Sequence, residues 1–320
     1  MNNNPTFWHR TPPALFPCLL GFIGLGLTWR RAAEILPVSP WVGEVILLSS
    51  SILFAVTFLC YTAKLSLRPS VLLDDLKVAP ARGGVSAGSM CIMLISAAIL
   101  PYNMMTALIL WWFSIVLHLG YLACTIHSLT KVENVRATVT PTLVLPFVGL
   151  IVAAITGPQL GYITLSKLIV FSTIPSFAFI LYQSALNLKY TDIPIPVRAG
   201  FVAVLAPVSI YGIAVYGLWP FNVFYVLWGC AICCALLLLM FLPWLVKGGW
   251  NPGWGAFTFP LSSFAGVMLI GASSGFGLVA EIWAIASLGL ATIIVPYVVV
   301  KTYLFWASGK LTKTTGAAIV

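Results

Sequence analysis

The chain has 320 residues, of which 61% are hydrophobic and only 7% charged, whereas soluble globular domains carry about 25% charged residues. Too little polar surface remains to solvate a water-soluble globule, so lipid must be the solvent for most of it. The formal net charge of +9 is scattered over short segments, which argues for a topological signal and against a nucleic-acid surface.

Residues 1–12 are polar and Pro-rich and read as an N-terminal tail with no visible signal peptide. Charge then almost vanishes from five long blocks. Residues 11–63 hold only Arg30, Arg31, Glu34 and Glu44, 137–188 only Lys167, and 248–300 only Glu281; 83–130 and 199–246 hold none. A block of about fifty residues would reach roughly 75 Å as one helix, against a hydrocarbon core of about 30 Å. Each block must therefore fold back. A turn signal lies near every midpoint: Pro37–Pro40, Pro101-Tyr102-Asn103, Gly157-Pro158, Trp219-Pro220 and Ser273-Ser274-Gly275.

The spacing predicts an all-α integral membrane protein of ten transmembrane helices in five helical hairpins. The spans fall at 13–35, 42–64, 84–101, 103–130, 138–156, 159–188, 197–217, 220–246, 253–273 and 277–306, in one domain over 13–306. Residues 307–320 read as a C-terminal tail. Long unbroken apolar runs do not fit the ten-residue alternation of a transmembrane β-barrel. Thirteen of the sixteen Lys and Arg residues lie between blocks or at the termini. By the positive-inside rule this puts both termini in the cytoplasm, as an even number of spans requires.

The first helix of each hairpin carries an interruption early in its span. It is Phe16-Pro17 followed by Gly21 in the first, Ser86-Ala87-Gly88-Ser89 in the second and Leu145-Pro146-Phe147 in the third. In the fourth it is Ala206-Pro207, and in the fifth Phe259-Pro260. The recurrence is a weak internal repeat. Proline removes a backbone donor and bends a helix, and small residues let helices approach closely. Five bent inner helices around a shared axis, ringed by five outer ones, would leave a path between them. Ordinary helix packing is the alternative, since proline and glycine are common in membrane helices.

Titratable groups inside or near the spans are functional candidates by default. They are Glu44, His118, Lys167 and Glu281. Lys167 and Glu281 read as outward-side groups that could pair with each other or with Glu44, and His118 as a hydrogen-bonded helix contact. Cys230, Cys233 and Cys234 form a C-x-x-C spacing without a neighbouring His or carboxylate, which reads as apolar filler and not a metal or redox site. No cofactor is implied. The spans hold no His/Asp/Glu or Ser/His cluster, so an intramembrane enzyme is not expected.

At the interrupted helices the chain resembles the tellurite-resistance TehA proteins of bacteria, the plant guard-cell slow-type anion channels and the fungal malate and sulfite transporters. The matching segments are Phe16 to Arg30, Leu145-Pro146, Leu205-Ala206-Pro207, Phe241-Leu242-Pro243-Trp244 and Ala256 to Ser263, in an order covering about residues 13–310. The resemblance implies a quasi-fivefold arrangement of hairpins around a central pore, usually in a homotrimer of the inner (plasma) membrane. It implies passage of inorganic or small organic anions, and a pore plugged by a phenylalanine of the ninth helix. The matching residue is Phe259. Phe257 lies about 200° away on a helix and cannot face the same axis. The function so implied is a channel for small monovalent anions. A proton-coupled carrier of dicarboxylate, sulfite or tellurite-type oxyanions is the alternative, and it needs a titratable group beside the path.

Overall fold

In lipid, long apolar segments satisfy their backbone polar groups by forming helices, and the computed structural model of residues 7–319 contains no strand among them. Residues 1–6 of the expected N-terminal tail, and Val320, lie outside the described residues. The order is α1 (Leu15–Ile35), α2 (Trp41–Leu67), α3 (Val71–Lys77), α4 (Ala79–Ile99) and α5 (Met104–Leu129), then α6 (Val144–Val148), α7 (Ala153–Thr156) and α8 (Ile163–Tyr190). There follow α9 (Ile195–Arg198), α10 (Leu205–Val215), α11 (Phe221–Met240) and α12 (Leu242–Leu245), and last α13 (Gly255–Ser273), α14 (Leu278–Ala307) and α15 (Lys310–Thr315).

Local chemistry sets the boundaries. Asn103 caps α5, its side chain accepting from the Thr106 N–H at 2.9 Å. Gly275 and Gly277, both at φ 79°, turn the chain between α13 and α14 in a backbone region that other residues rarely adopt.

Among the described residues, eight helices are long and apolar enough to cross a membrane. Leu15–Ile35 has 21 residues, but Arg30, Arg31 and Glu34 crowd its end, and Pro141–Thr156 is a shorter apolar stretch. The eight divide by burial. Ala81–Ile99 and Pro252–Ser273 are each 83% buried and Ile195–Val215 67%, whereas Trp41–Leu67, Met104–Leu129, Ile163–Tyr190, Phe221–Met240 and Leu278–Ala307 are between 22% and 33% buried. The second group turns Leu48, Ile109, Phe171, Val226 and Ile293 outward, which in water would be prohibitive and in lipid is ordinary. Buried α1 packs along α2, α4, α13 and α14. α4 lies on α5, α10 on α11 and α13, α13 on α14, and α6 and α7 on α8.

Three expected spans need correction. Those at 138–156 and 197–217 are not uniform α-helices: 3₁₀ turns at Pro141–Leu143 and Gly149–Val152 alternate with α6 and α7, and one at Ala199–Val204 separates α9 from α10. The span expected at 220–246 breaks after Met240, where Pro243 follows in a separate turn. Within the expected C-terminal tail, Lys310–Thr315 form α15, with Leu311 fully buried against Leu15 and Trp306.

Candidate functional site

A cavity of about 550 Å³ lies among the buried helices and their N-terminal turns. Most of its walls come from five stretches of chain, and Lys313, Thr314, Thr315 and Gly316 of the C-terminal segment add a sixth. Pro17 and Leu20 belong to α1, and Met90 to α4. The third stretch, running through α6, gives Leu145, Val148, Gly149 and Val152; the fourth gives Ala203, Ala206, Pro207 and Ile210; and α13 gives Ala256, Phe259 and Pro260. The last three sets share one spacing, i, i+3 and i+4, which is a single helical face. Each stretch thus turns one stripe inward, and the stripes are almost wholly apolar.

The prolines act differently from the expected bends. Pro17, Pro146 and Pro207 are each the third residue of an α-helix, in α1, α6 and α10. At Pro17 a backbone N–H would have no partner within its own helix, so proline removes no bond there, whereas Pro146 and Pro207 lie within the continuous helical runs Pro141–Thr156 and Ile195–Val215. For α6 and α10 proline marks the switch from a preceding 3₁₀ turn to α winding. Pro260 lies inside α13, and it deprives the Ala256 carbonyl of its α-helical donor. Ala256 and Pro260 both line the cavity.

Phe259 lies on the cavity wall, only 5% exposed. Its ring rests against Gly24 of α1, where an added Cβ would meet ring carbons at 3.4 and 3.5 Å. Phe257 points elsewhere, into a cluster with Ala199, Val202 and Leu245 and beside Trp254. Gly21, Gly88, Pro146 and Phe147 do not line the cavity. Gly21 lets α1 approach α13, since a Cβ there would fall 2.3 Å from that of Thr258. Gly88 faces the Phe16 ring, which a Cβ added there would meet at 3.6 Å. Pro146 is buried, and Phe147 is half-buried against the core.

Sequence reading missed the ladder that fixes Phe259 relative to α1. The Thr258 hydroxyl lies 2.9 Å from the Pro17 carbonyl and 2.8 Å from that of Gly255. The Ser262 hydroxyl lies 2.7 Å from the Gly21 carbonyl and 3.0 Å from that of Thr258, and the Thr28 hydroxyl 3.0 Å from that of Ser262 and 2.9 Å from that of Gly24. Each single proton is thus shared between a cross-helix and a local carbonyl. The signal was present as Thr258 and Ser262 four residues apart, opposite Pro17 and Gly21 four apart.

The titratable candidates are not brought together. Glu44 pairs with Arg30 through two hydrogen bonds of 2.8 and 3.0 Å and accepts from Tyr102 at 2.8 Å. Arg30 also donates to the Ala98 carbonyl at 2.9 Å, so this group clasps α1, α2 and the α4–α5 turn. Lys167 instead sits over the Trp219 ring, 5.5 Å from its centre. Glu281 is exposed in the first turn of α14, where a carboxylate suits the helix dipole. The anticipated Lys167–Glu281 and Glu44 pairings are therefore absent among the described residues.

His118 is buried, with Nδ1 2.9 Å from the Ser89 hydroxyl. The same Ser89 hydroxyl lies 2.8 Å from the Ser86 carbonyl, so Ser89 ties His118 to the backbone of α4. Lys64, one of the charges that lie between the apolar blocks, is fully buried 3.5 Å from buried Asp75, which also accepts from Tyr61 at 3.1 Å. Among the described residues no group of three or more His, Cys, Asp or Glu could hold a metal ion.

The family model described as voltage-dependent anion channel (SLAC1) matches residues 10–303, nearly the whole chain. No curated protein matches it. The chain belongs to the voltage-dependent anion channel family and is a multi-pass membrane protein of anion transport.

Proposed function

We propose that this member of the voltage-dependent anion channel family is an anion channel whose path runs through the cavity and is closed by the Phe259 ring. In this reading the chain makes ten spans as five hairpins in quasi-fivefold order. The inner set is α1, α4, the α6–α7 stretch, α10 and α13; the outer set is α2, α5, α8, α11 and α14. Both termini face the cytoplasm of a cell that carries the protein in its inner membrane. Three copies associate through outer apolar faces, each with its own pore.

The observation that carries the reading is that one apolar cavity takes wall from all five inner stretches and has Phe259 on it. A ring across an apolar passage excludes water, and without water an ion cannot cross. Gly24 leaves the ring's neighbour without a side chain, so a rotamer change or a small shift of α13 would open the passage. Selectivity is then mild: anions that lose water easily, such as nitrate, pass more readily than strongly hydrated ones.

A coupled carrier would need a titratable group on the path. Glu44 is held by Arg30, Lys167 sits over Trp219, Glu281 is exposed on α14, and His118 lies behind Gly149. Among the described residues the one titratable side chain on the lining is Lys313, exposed at the mouth and not within the passage. A planar-bilayer recording separates the two. The channel reading expects a reversal potential that follows the anion gradient and ignores an imposed pH gradient. Current that reverses with the proton gradient, or uphill anion flux driven by it, would establish the carrier instead.

A further inference from the structure

We propose that Lys313, carried on α15, is the residue that concentrates anions at the cavity mouth on the side of the chain termini; this rests on the cavity being the conducting path. The wall there is made by Lys313, Thr314, Thr315 and Gly316 of the C-terminal segment. Lys313 is the one charged side chain among the described residues lining the cavity. It is exposed, and among the described residues no carboxylate lies within ion-pair distance of its ammonium. The rest of the lining is apolar or neutral, so nothing cancels this charge and the low-dielectric walls focus its field along the passage.

The position of Lys313 is built, not incidental. Gly309 and Gly316, at φ 71° and 64°, turn the chain at each end of α15 in the left-handed region that favours glycine. Leu311 is fully buried, and the Thr312 hydroxyl donates to the Arg10 carbonyl. Beyond α15 the Ala318 N–H donates to Asp75 at 2.7 Å. That carboxylate is itself buried and held by Lys64 and Tyr61, so it is a rigid anchor. The family match ends at residue 303, so this fixture belongs to a part of the chain that the family pattern does not cover.

A unit charge within a few ångströms of the path raises local anion concentration about two- to fivefold at low salt. Screening removes most of that at 1 M, where the Debye length is about 3 Å. The experiment is single-channel recording with nitrate in the Phe259→Ala background, in about 20 mM and 1 M salt. Lys313→Gln should lower current carried by anions entering from the terminus side by about two- to fivefold at 20 mM and leave it nearly unchanged at 1 M. Lys313→Arg should restore it. Ala318→Pro, which removes the N–H that grips Asp75, should reproduce part of the loss. Lys310→Gln, which alters a charge on the same helix outside the cavity lining, should change little. Equal currents for Lys313→Gln and its parent at 20 mM would overturn the role of Lys313 alone. An equal loss from Lys310→Gln would reduce it to general surface charge. A silent Phe259→Ala background would overturn the channel reading and this inference with it.

Discussion

Gly21→Ala is the sharpest test of how Phe259 is held. A Cβ at this position would stand 2.3 Å from the Thr258 Cβ and 2.4 Å from the Thr258 carbonyl carbon. The obstacle includes backbone, so no rotamer change relieves it. α1 and α13 would have to part by about 1 Å to restore ordinary contact. That separation stretches the bonds from Thr258 to Pro17, from Ser262 to Gly21 and from Thr28 to Ser262, now between 2.7 and 3.0 Å. Overpacking alone costs about 1–3 kcal/mol, and each lost buried hydrogen bond adds about 1 kcal/mol. The expected loss is about 2–5 kcal/mol. The control is Gly120→Ala on α5, where an added Cβ meets nothing within 4 Å. Unfolding of both variants in detergent, followed by tryptophan fluorescence, gives the comparison. If Gly21→Ala lies within about 0.5 kcal/mol of Gly120→Ala, the close α1–α13 contact does not hold the helices and the reasoning fails.

Other variants probe neighbouring parts of the account. Lys64→Met leaves Asp75 buried without its ion-pair partner and should cost about 3–5 kcal/mol in the same unfolding assay; Lys64→Met with Asp75→Asn should recover part of that loss, and equal destabilisation of single and double variants would contradict it. Gly24→Val places methyl groups where ring carbons of Phe259 already stand 3.4 and 3.5 Å from an added Cβ. It should displace the ring and raise anion flux from loaded vesicles several-fold, with no further rise once Phe259 is alanine.

Much of the fold was legible because lipid leaves few options. Charge-free blocks and midpoint turns fixed the helices to within a few residues, and α5 and α14 begin within one residue of expectation. The 3₁₀ turns of Pro141–Thr156 were not legible, because an apolar run has the same composition whether wound as α or 3₁₀. The prolines were visible, but their local setting was not: Pro17 stands in the first turn of α1, while Pro146 and Pro207 stand where a 3₁₀ turn passes into α winding. Charges misled at the termini. Lys64 looked like a topology signal because its partner Asp75 lies on α3, a short helix hidden in a connecting segment. Lys313 sat in what read as a solvated tail, and only the buried Leu311 and the Ala318–Asp75 bond draw that tail onto the cavity. Phe259 was singled out by family resemblance. Its separation from Phe257 followed from helix geometry alone, and the two side chains do occupy different clusters.

The central claim is that the Phe259 ring closes an anion path. The direct measurement is nitrate and chloride current through purified wild-type and Phe259→Ala protein in planar bilayers, at matched amounts of inserted protein. Small or absent wild-type current and a many-fold larger anion-selective current in the variant are the expected result. Equal currents from the two, with Phe259→Ala folded and inserted, would contradict the account.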